Sequence, residues 1–187
     1  IDEQDWSESW KEFFHPLKIT KRIVIKPSWQ DYNANFDDVV IEIDPGMAFG
    51  TGTHPTTALC ISMIEKYIRK GDKLLDIGTG SGILMIAAAK LGAQKIWGID
   101  NDEVAIDIAK KNLLLNGIEN KNFKVMTGNL TDKVYKRFDI VVANILTETI
   151  MTLLDHLKSV LKEKSVFICS GIIEKNKGKV VEKMVAS

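Results

Sequence analysis

The chain has 187 residues, 45% of them hydrophobic, which suits one globular domain with a small appendage. Lys plus Arg and Asp plus Glu each number 25, so the formal net charge is zero. Charge therefore lends no support to a broad nucleic-acid surface, although it leaves a local basic patch open. No apolar run approaches the roughly 20 residues that span a bilayer, and the acidic, aromatic start IDEQDWSESW is unlike a secretory signal.

In chain order, DWSESWKEFF (5–14) reads as a short helix with Trp6, Trp10, Phe13 and Phe14 on one face, ended by His15-Pro16. ITKRIVIKPSW and DDVVIEID alternate as strands, with QDYNANF as the turn between them. These pieces form a small β-rich lead-in over residues 1–43. DPGMAFGTGTHPTT (44–57) then concentrates Gly46, Gly50 and Gly52 with two prolines, His54 and a closing Thr pair. Such glycine density marks a loop with a job beyond connection. TTALCISMIEKYIRKG follows as a helix, capped by one of Thr56 and Thr57, with the other left for a ligand.

From residue 71 strands and helices alternate. LLDIG (74–78), KIWGID (95–100), FKVMTGN (123–129), RFDIVVANI (137–145) and SVFICSG (165–171) read as strands. SGILMIAAAKLG, DEVAIDIAKKNLLLNG, TIMTLLDHLKSVL and the charged C-terminal segment read as helices. This alternation predicts an α/β fold, a Rossmann-like doubly wound and mostly parallel sheet over 44–187, with ligands at the carboxyl ends of the strands. Cys60 and Cys169 read as reduced, mostly buried thiols. His15, His54 and His156 have no metal-ligand spacing, so no metal is expected.

Gly78, Gly80 and Gly82 stand between a strand and a helix, where small residues and free N–H groups admit a nucleotide-type ligand. The sixth position of a dinucleotide fingerprint is Ile83 or Met85, not Gly or Ala; the pattern is instead D-x-G-x-G-x-G from Asp76. Asp100 ends the second strand about 20 residues past the loop, placed to accept from ribose hydroxyls. A helix cap is its other reading, which Asn101 or Asp102 could fill as well. Asn129, after the third strand, reads either as a purine contact or as a plain turn. Asn144 ends the fourth strand, where a carboxyl-end site opens, and offers both a donor and an acceptor.

D-x-G-T-G-S-G with the strand-end Asp100 resembles class I S-adenosylmethionine-dependent methyltransferases. DPGMAFGTGTHPTT ahead of that core, and ANIL after the fourth strand, narrow the resemblance to the PrmA family of ribosomal protein methyltransferases, which modify large-subunit protein L-eleven. The lead-in resembles that family's linker, so the likeness covers the chain. The resemblance implies S-adenosylmethionine as cofactor, bound at positions matching Thr57, Gly78, Asp100 and Asn144, and transfer of methyl groups to lysine and N-terminal amines. It further implies the ribosomal protein as partner. The neutral charge and the lack of a long apolar run add the expectations of no direct nucleic acid and no membrane, and a cytoplasmic monomer is expected. The family's N-terminal recognition domain and the last strands usual in its class are not among these residues.

Together these readings give Thr57, Gly78, Gly80, Asp100, Asn129 and Asn144 as cofactor-binding candidates, with Asn144 also catalytic. The threonine of the Thr56-Thr57 pair that does not cap the helix would reach the cofactor's methionine end. Met47 and Phe49 would supply apolar walls that keep water from the sulfonium, and His54 reads as substrate-facing or simply exposed. Asn-Ile-Leu lacks the aromatic that stacks on a planar amide or base, which favours aliphatic amines. The competing expectations are a nucleic-acid or small-molecule N-methyltransferase, an NAD-dependent oxidoreductase opposed by Ile83, and a non-catalytic cofactor-binding module.

Overall fold

A computed structural model describes residues 14–44 and 54–186. The helix expected over 5–14, apart from Phe14, and the loop positions 45–53, Met47 and Phe49 included, lie outside them. Three strands, β1 (Leu17–Lys18), β2 (Ile23–Pro27) and β3 (Val39–Ile43), form a small sheet in that order. β1 runs antiparallel to β2, and β2 parallel to β3. The first expected strand, ITKRIVIKPSW, starts later than its apolar pattern implied. The Thr20 hydroxyl accepts from the Ile23 and Arg22 N–H groups and turns the chain there.

The main body then alternates. Helix α1 (Pro55–Tyr67) precedes β4 (Lys73–Ile77), α2 (Ile83–Lys90), β5 (Lys95–Asp100) and α3 (Glu103–Leu115). They are followed by β6 (Phe123–Thr127), β7 (Phe138–Asn144), α4 (Thr147–Leu154), β8 (Leu161–Ser170) and α5 (Glu174–Ala186). The five strands β4–β8 form one wholly parallel sheet in the order β6-β5-β4-β7-β8. The chain leaves β4 toward β5 on one side and later returns to β7 on the other. That reversal puts the topological switch point between β4 and β7.

Period-two alternation splits the apolar strand residues between two cores. Leu74, Ile96, Ile140, Val142 and Ile168 face one side, with α1, α2 and the small sheet. Leu75, Ile77, Ile99, Val141 and Ala143 face the other, with α4 and Val180 of α5. Each fully buried Leu or Ile contributes roughly 1.5–3 kcal/mol by leaving water. Helix α2 is buried from Ile83 through Ala88, because it lies among the large sheet, α1, α3 and β3, which explains why its sequence is apolar almost all round. No helix among the described residues is long and apolar enough to cross a membrane.

The helix expected over 149–161 is shorter and starts earlier. Leu154 ends it, a 3-10 turn follows at Leu157–Ser159, and Val160 and Leu161 lead into β8. The start of β8 bulges: its register against β7 jumps from Leu161 to Val166, and Lys164 takes a left-handed φ of 61°. Cys169 on β8 is only half-buried, against the core that holds α4. Cys60 is buried, and its thiol is pushed up to about 12 by desolvation first and by the nearby Asp76.

Two asparagines, Asn112 on α3 and Asn116 at its C-cap, hold the small sheet to the large one. Asn116 Oδ1 accepts from the Glu42 N–H at 2.9 Å and its Nδ2 donates to the Glu42 carbonyl at 2.6 Å, so a side chain pairs with the open edge of β3. One turn earlier, Asn112 is 1% exposed. It accepts from the Asp44 N–H at 3.0 Å and donates to the Ser81 carbonyl at 2.9 Å. Asn112→Ala removes both bonds, the one to the Ser81 carbonyl fully buried, at a cost of about 2 kcal/mol. Urea unfolding should show a lower midpoint with an unchanged slope; an unchanged midpoint would mean that this link carries no stability.

Candidate cofactor and active site

The site begins where β4 ends. Gly78 and Thr79 donate their N–H groups to the Ile99 carbonyl at 2.8 and 3.1 Å, which bends the chain across the top of β5. Gly78 has φ +74°, and a Cβ there would collide with the Ile145 side chain. Only glycine meets both demands. Gly82 is the N-cap of α2 and supplies no side-chain cap, which leaves first-turn N–H groups of the helix for a ligand.

Asp100, at the end of β5, accepts from the Gly80 N–H at 2.9 Å through Oδ2 and from the Asp102 N–H at 3.1 Å through Oδ1. A carboxylate has about four acceptor sites, so lone pairs remain on both oxygens. The helix-cap reading of Asp100 is removed by its neighbour: Asp102 caps α3, accepting from the Val104 N–H at 2.9 Å.

Across β4, Asn144 ends β7. Its Nδ2 donates to the hydroxyl of buried Thr57 at 3.2 Å, which joins positions 87 residues apart. Its carboxamide oxygen makes no hydrogen bond among the described residues and remains an acceptor at the cleft. The cap of α1 is neither threonine. The His54 imidazole caps it, with Nδ1 accepting from the Thr56 N–H at 3.3 Å and lying 2.7 Å from the Thr56 hydroxyl, and Pro55 occupies the first turn. An imidazole in this position frees Thr57 to turn inward. Asn129 is exposed in the turn after β6, and its carbonyl accepts from the Asp132 N–H at 3.1 Å. The turn reading therefore holds for its backbone, while the residue also borders the cleft.

These pieces enclose a cleft of about 300 Å³ across the carboxyl ends of β4, β5, β6 and β7. Thr57, Gly78, Gly80, Asp100, Asn129 and Asn144 all line it. Its volume is at the lower edge of the ordinary range for small-molecule sites. Ile77, Ile83, Leu84, Ile99, Ile145 and Leu146 supply the apolar walls.

Sequence reading quoted Asp76 only as the first letter of the glycine pattern and missed its state. It is fully buried beneath the loop; the Thr79 hydroxyl donates to Oδ2 at 2.8 Å, and Oδ1 has no partner. Desolvation, with a smaller contribution from Asp100, raises its carboxyl to about 7 against the opposing Thr79 bond. Sequence reading also missed Ile145 as a packing wedge. Gly171, φ +87°, lies against its carbonyl, as Gly78 does against its side chain.

A parallel sheet with a glycine turn, a strand-end acid and an open switch-point cleft defines the Rossmann-like methyltransferase class. A crystal structure of ribosomal protein L11 methylase from Lactobacillus delbrueckii subsp. bulgaricus has this architecture, with a TM-score of 0.87 and 37% identity over 92% of this chain and 88% of that one. The family model for ribosomal protein L11 methyltransferase (PrmA) matches residues 1–187, and the chain belongs to that family. The Desulfosudis oleivorans ribosomal protein L11 methyltransferase is 49% identical over 187 residues, covering 99% of this chain and 62% of its own length. The Alkaliphilus oremlandii protein of the same name is 52% identical over 173 residues, covering 92% and 55%. The chain thus spans somewhat more than half the length of these curated relatives.

The raised Asp76 sets a pH dependence. Between the unfolded value of 3.8 and about 7 the folded state binds the extra proton, so this group's effect on stability worsens as pH rises through that window and is constant above it. Asp76→Asn should remove this component. The variant's stability relative to the parent, measured by urea unfolding from pH 4 to 8, should increase with pH by up to a few kcal/mol; parallel profiles would contradict a buried, proton-binding carboxyl.

Proposed function

We propose that this chain carries the catalytic part of an S-adenosylmethionine-dependent protein methyltransferase, acting on lysine and N-terminal amines of ribosomal protein L11. The observation that carries the reading is the cleft in which Asp100 and the Thr57-linked Asn144 face each other across the glycine turn. Membership of the family supports the choice of substrate, and a ribosomal-protein substrate supports a cytoplasmic setting.

The donor and acceptor set suits the cofactor. Gly78 opens space that a Cβ would fill, the start of α2 offers unspent N–H groups, and Asp100 keeps lone pairs for two vicinal hydroxyls. Asn129 and Leu130 border the same side of the cleft as Asp100 and suit a purine. Thr57 and Asn144 suit the amino-acid end. When bound, S-adenosylmethionine supplies an activated methyl group that an amine nitrogen takes up as the carbon–sulfur bond breaks.

The residues of the chain do the positioning. The Asn144 carboxamide oxygen accepts an N–H of the incoming amine, and the Thr57 bond fixes that carboxamide's plane. Ile145 and Leu146 line the way in and suit an aliphatic stem. Asp100 is the only titratable side chain lining the cleft among the described residues, and in this reading its remaining lone pairs go to the ribose hydroxyls. The amine therefore loses its proton to solvent before transfer.

Three outcomes check this reading. Calorimetry should show S-adenosylmethionine binding to the chain, lost in Asp100→Ala. Asn144→Ala should lower turnover about 100-fold, and Asn129→Ala far less; equal effects would count against the assignment. The pH–rate profile should follow the substrate. An α-amine, with an ordinary pKa of about 7.7–8.0, should rise some 2.5 units below a lysine at about 10.4. One shared rising limb for both substrates would point to a protein base.

A further inference from the structure

The neutral total hides a concentration of positive charge. Between residues 121 and 137 stand Lys121, Lys124, Lys133, Lys136 and Arg137 against Asp132 alone, a net of +4 in a chain whose sum is zero. The structure gathers part of this run at the β6 edge of the large sheet. There Trp97, Lys124, Lys133, Tyr135 and Lys136 line an open groove whose far wall, Thr127, adjoins Gly128 of the cofactor cleft.

The groove is built, not merely charged. One edge of the Trp97 indole is anchored in the core against Phe138, with ring centres 5.5 Å apart and the planes at 63°. The Lys124 and Lys136 ammonium groups both approach that indole, at 4.6 and 5.3 Å from its centre. Neither makes an ion pair among the described residues, so two like charges converge on one ring with no carboxylate between them. Lys133 is pinned to the Thr127 carbonyl at 2.7 Å and adds a third charge at fixed position. Tyr135 stands beside them 89% exposed, an apolar ring held in water between two lysines in sequence.

We propose that this groove binds single-stranded RNA. Ammonium groups around an exposed phenol match alternating phosphates and bases: Lys124, Lys133 and Lys136 neutralise three phosphates, and Tyr135 offers a face on which a base stacks. An acidic protein surface would use the same cations and would also bury the ring; the alternation of cations with a stacking face matches the repeat of phosphate and base, and competition by polyglutamate tells the two apart. The groove adjoins the cleft at Gly128, the side that suits the purine, so RNA held there lies beside that end of the cleft. The inference stands apart from the methyl-transfer reading, because it uses none of the cleft's residues.

The test is fluorescence anisotropy of a labelled 12-nucleotide single-stranded RNA of mixed sequence, titrated with the chain at several salt concentrations. Binding should weaken with salt, with a log–log slope of about −2, as expected for three phosphates at about 0.7 each. Tyr135→Ala should weaken it about tenfold, near the value of one stacked base. Lys136→Glu should weaken it and flatten the slope, while Lys179→Glu on α5, the same charge change elsewhere, should do neither. Each exposed substitution is checked by its thermal melt. Absence of binding at low salt would overturn the proposal. So would equal loss in Lys136→Glu and Lys179→Glu, polyglutamate competing as well as unlabelled RNA, or no effect of Tyr135→Ala.

Discussion

The cleft depends on one close approach. Ile145, just past the end of β7, is wedged between Gly78 at the end of β4 and Gly171 at the end of β8. Neither neighbour could carry a side chain there without pushing the wedge away. Because interiors are close-packed and do not deform smoothly, Ile145 has one position. Asn144, its chain neighbour, is fixed with it, and the Thr57 bond sets the orientation of the carboxamide. Glycines just past the ends of two other strands thus help to position an asparagine through its chain neighbour.

The same logic extends outward through polar links. Asn112 joins Asp44, at the root of the segment that runs to His54, to Ser81 in the glycine turn. Asp100 joins that turn to the end of β5. The cofactor side of the cleft is therefore a set of backbone groups held by side chains that are themselves buried or at strand ends. Such an arrangement is held in place by bonds within the chain, before any ligand arrives. Leu146, at the rim beyond Asn144, is by contrast 73% exposed.

Much of this was legible in the sequence because strand ends announce themselves. Glycines after LLDI, an acid after KIWGI and an asparagine after IVVA each occur where an apolar run stops. A parallel sheet places all such stops on one edge. Asn112 and Asn116 could not be read the same way. On a helix an asparagine reads as part of the polar face, and its burial depends on where β3 happens to lie. The cap of α1 was misassigned for a related reason: threonine is the usual cap, and a histidine serving instead shows only in the geometry. The bulge at Lys164 breaks the alternation that locates strands, so β8 appeared to start too late.

Charge was the least legible property, because a sum has no position. Equal numbers of acids and bases exclude a chain that is cationic everywhere, but not one whose cations share an edge. Here β6 is that edge, and edge strands commonly carry lysines that discourage strand pairing. That protective role needs only solvated charge. It does not require Lys124 and Lys136 to converge on the Trp97 face, nor Tyr135 to stand exposed between Lys133 and Lys136. Edge protection explains the sign of the patch, and the placement of its rings is the part that calls for a ligand.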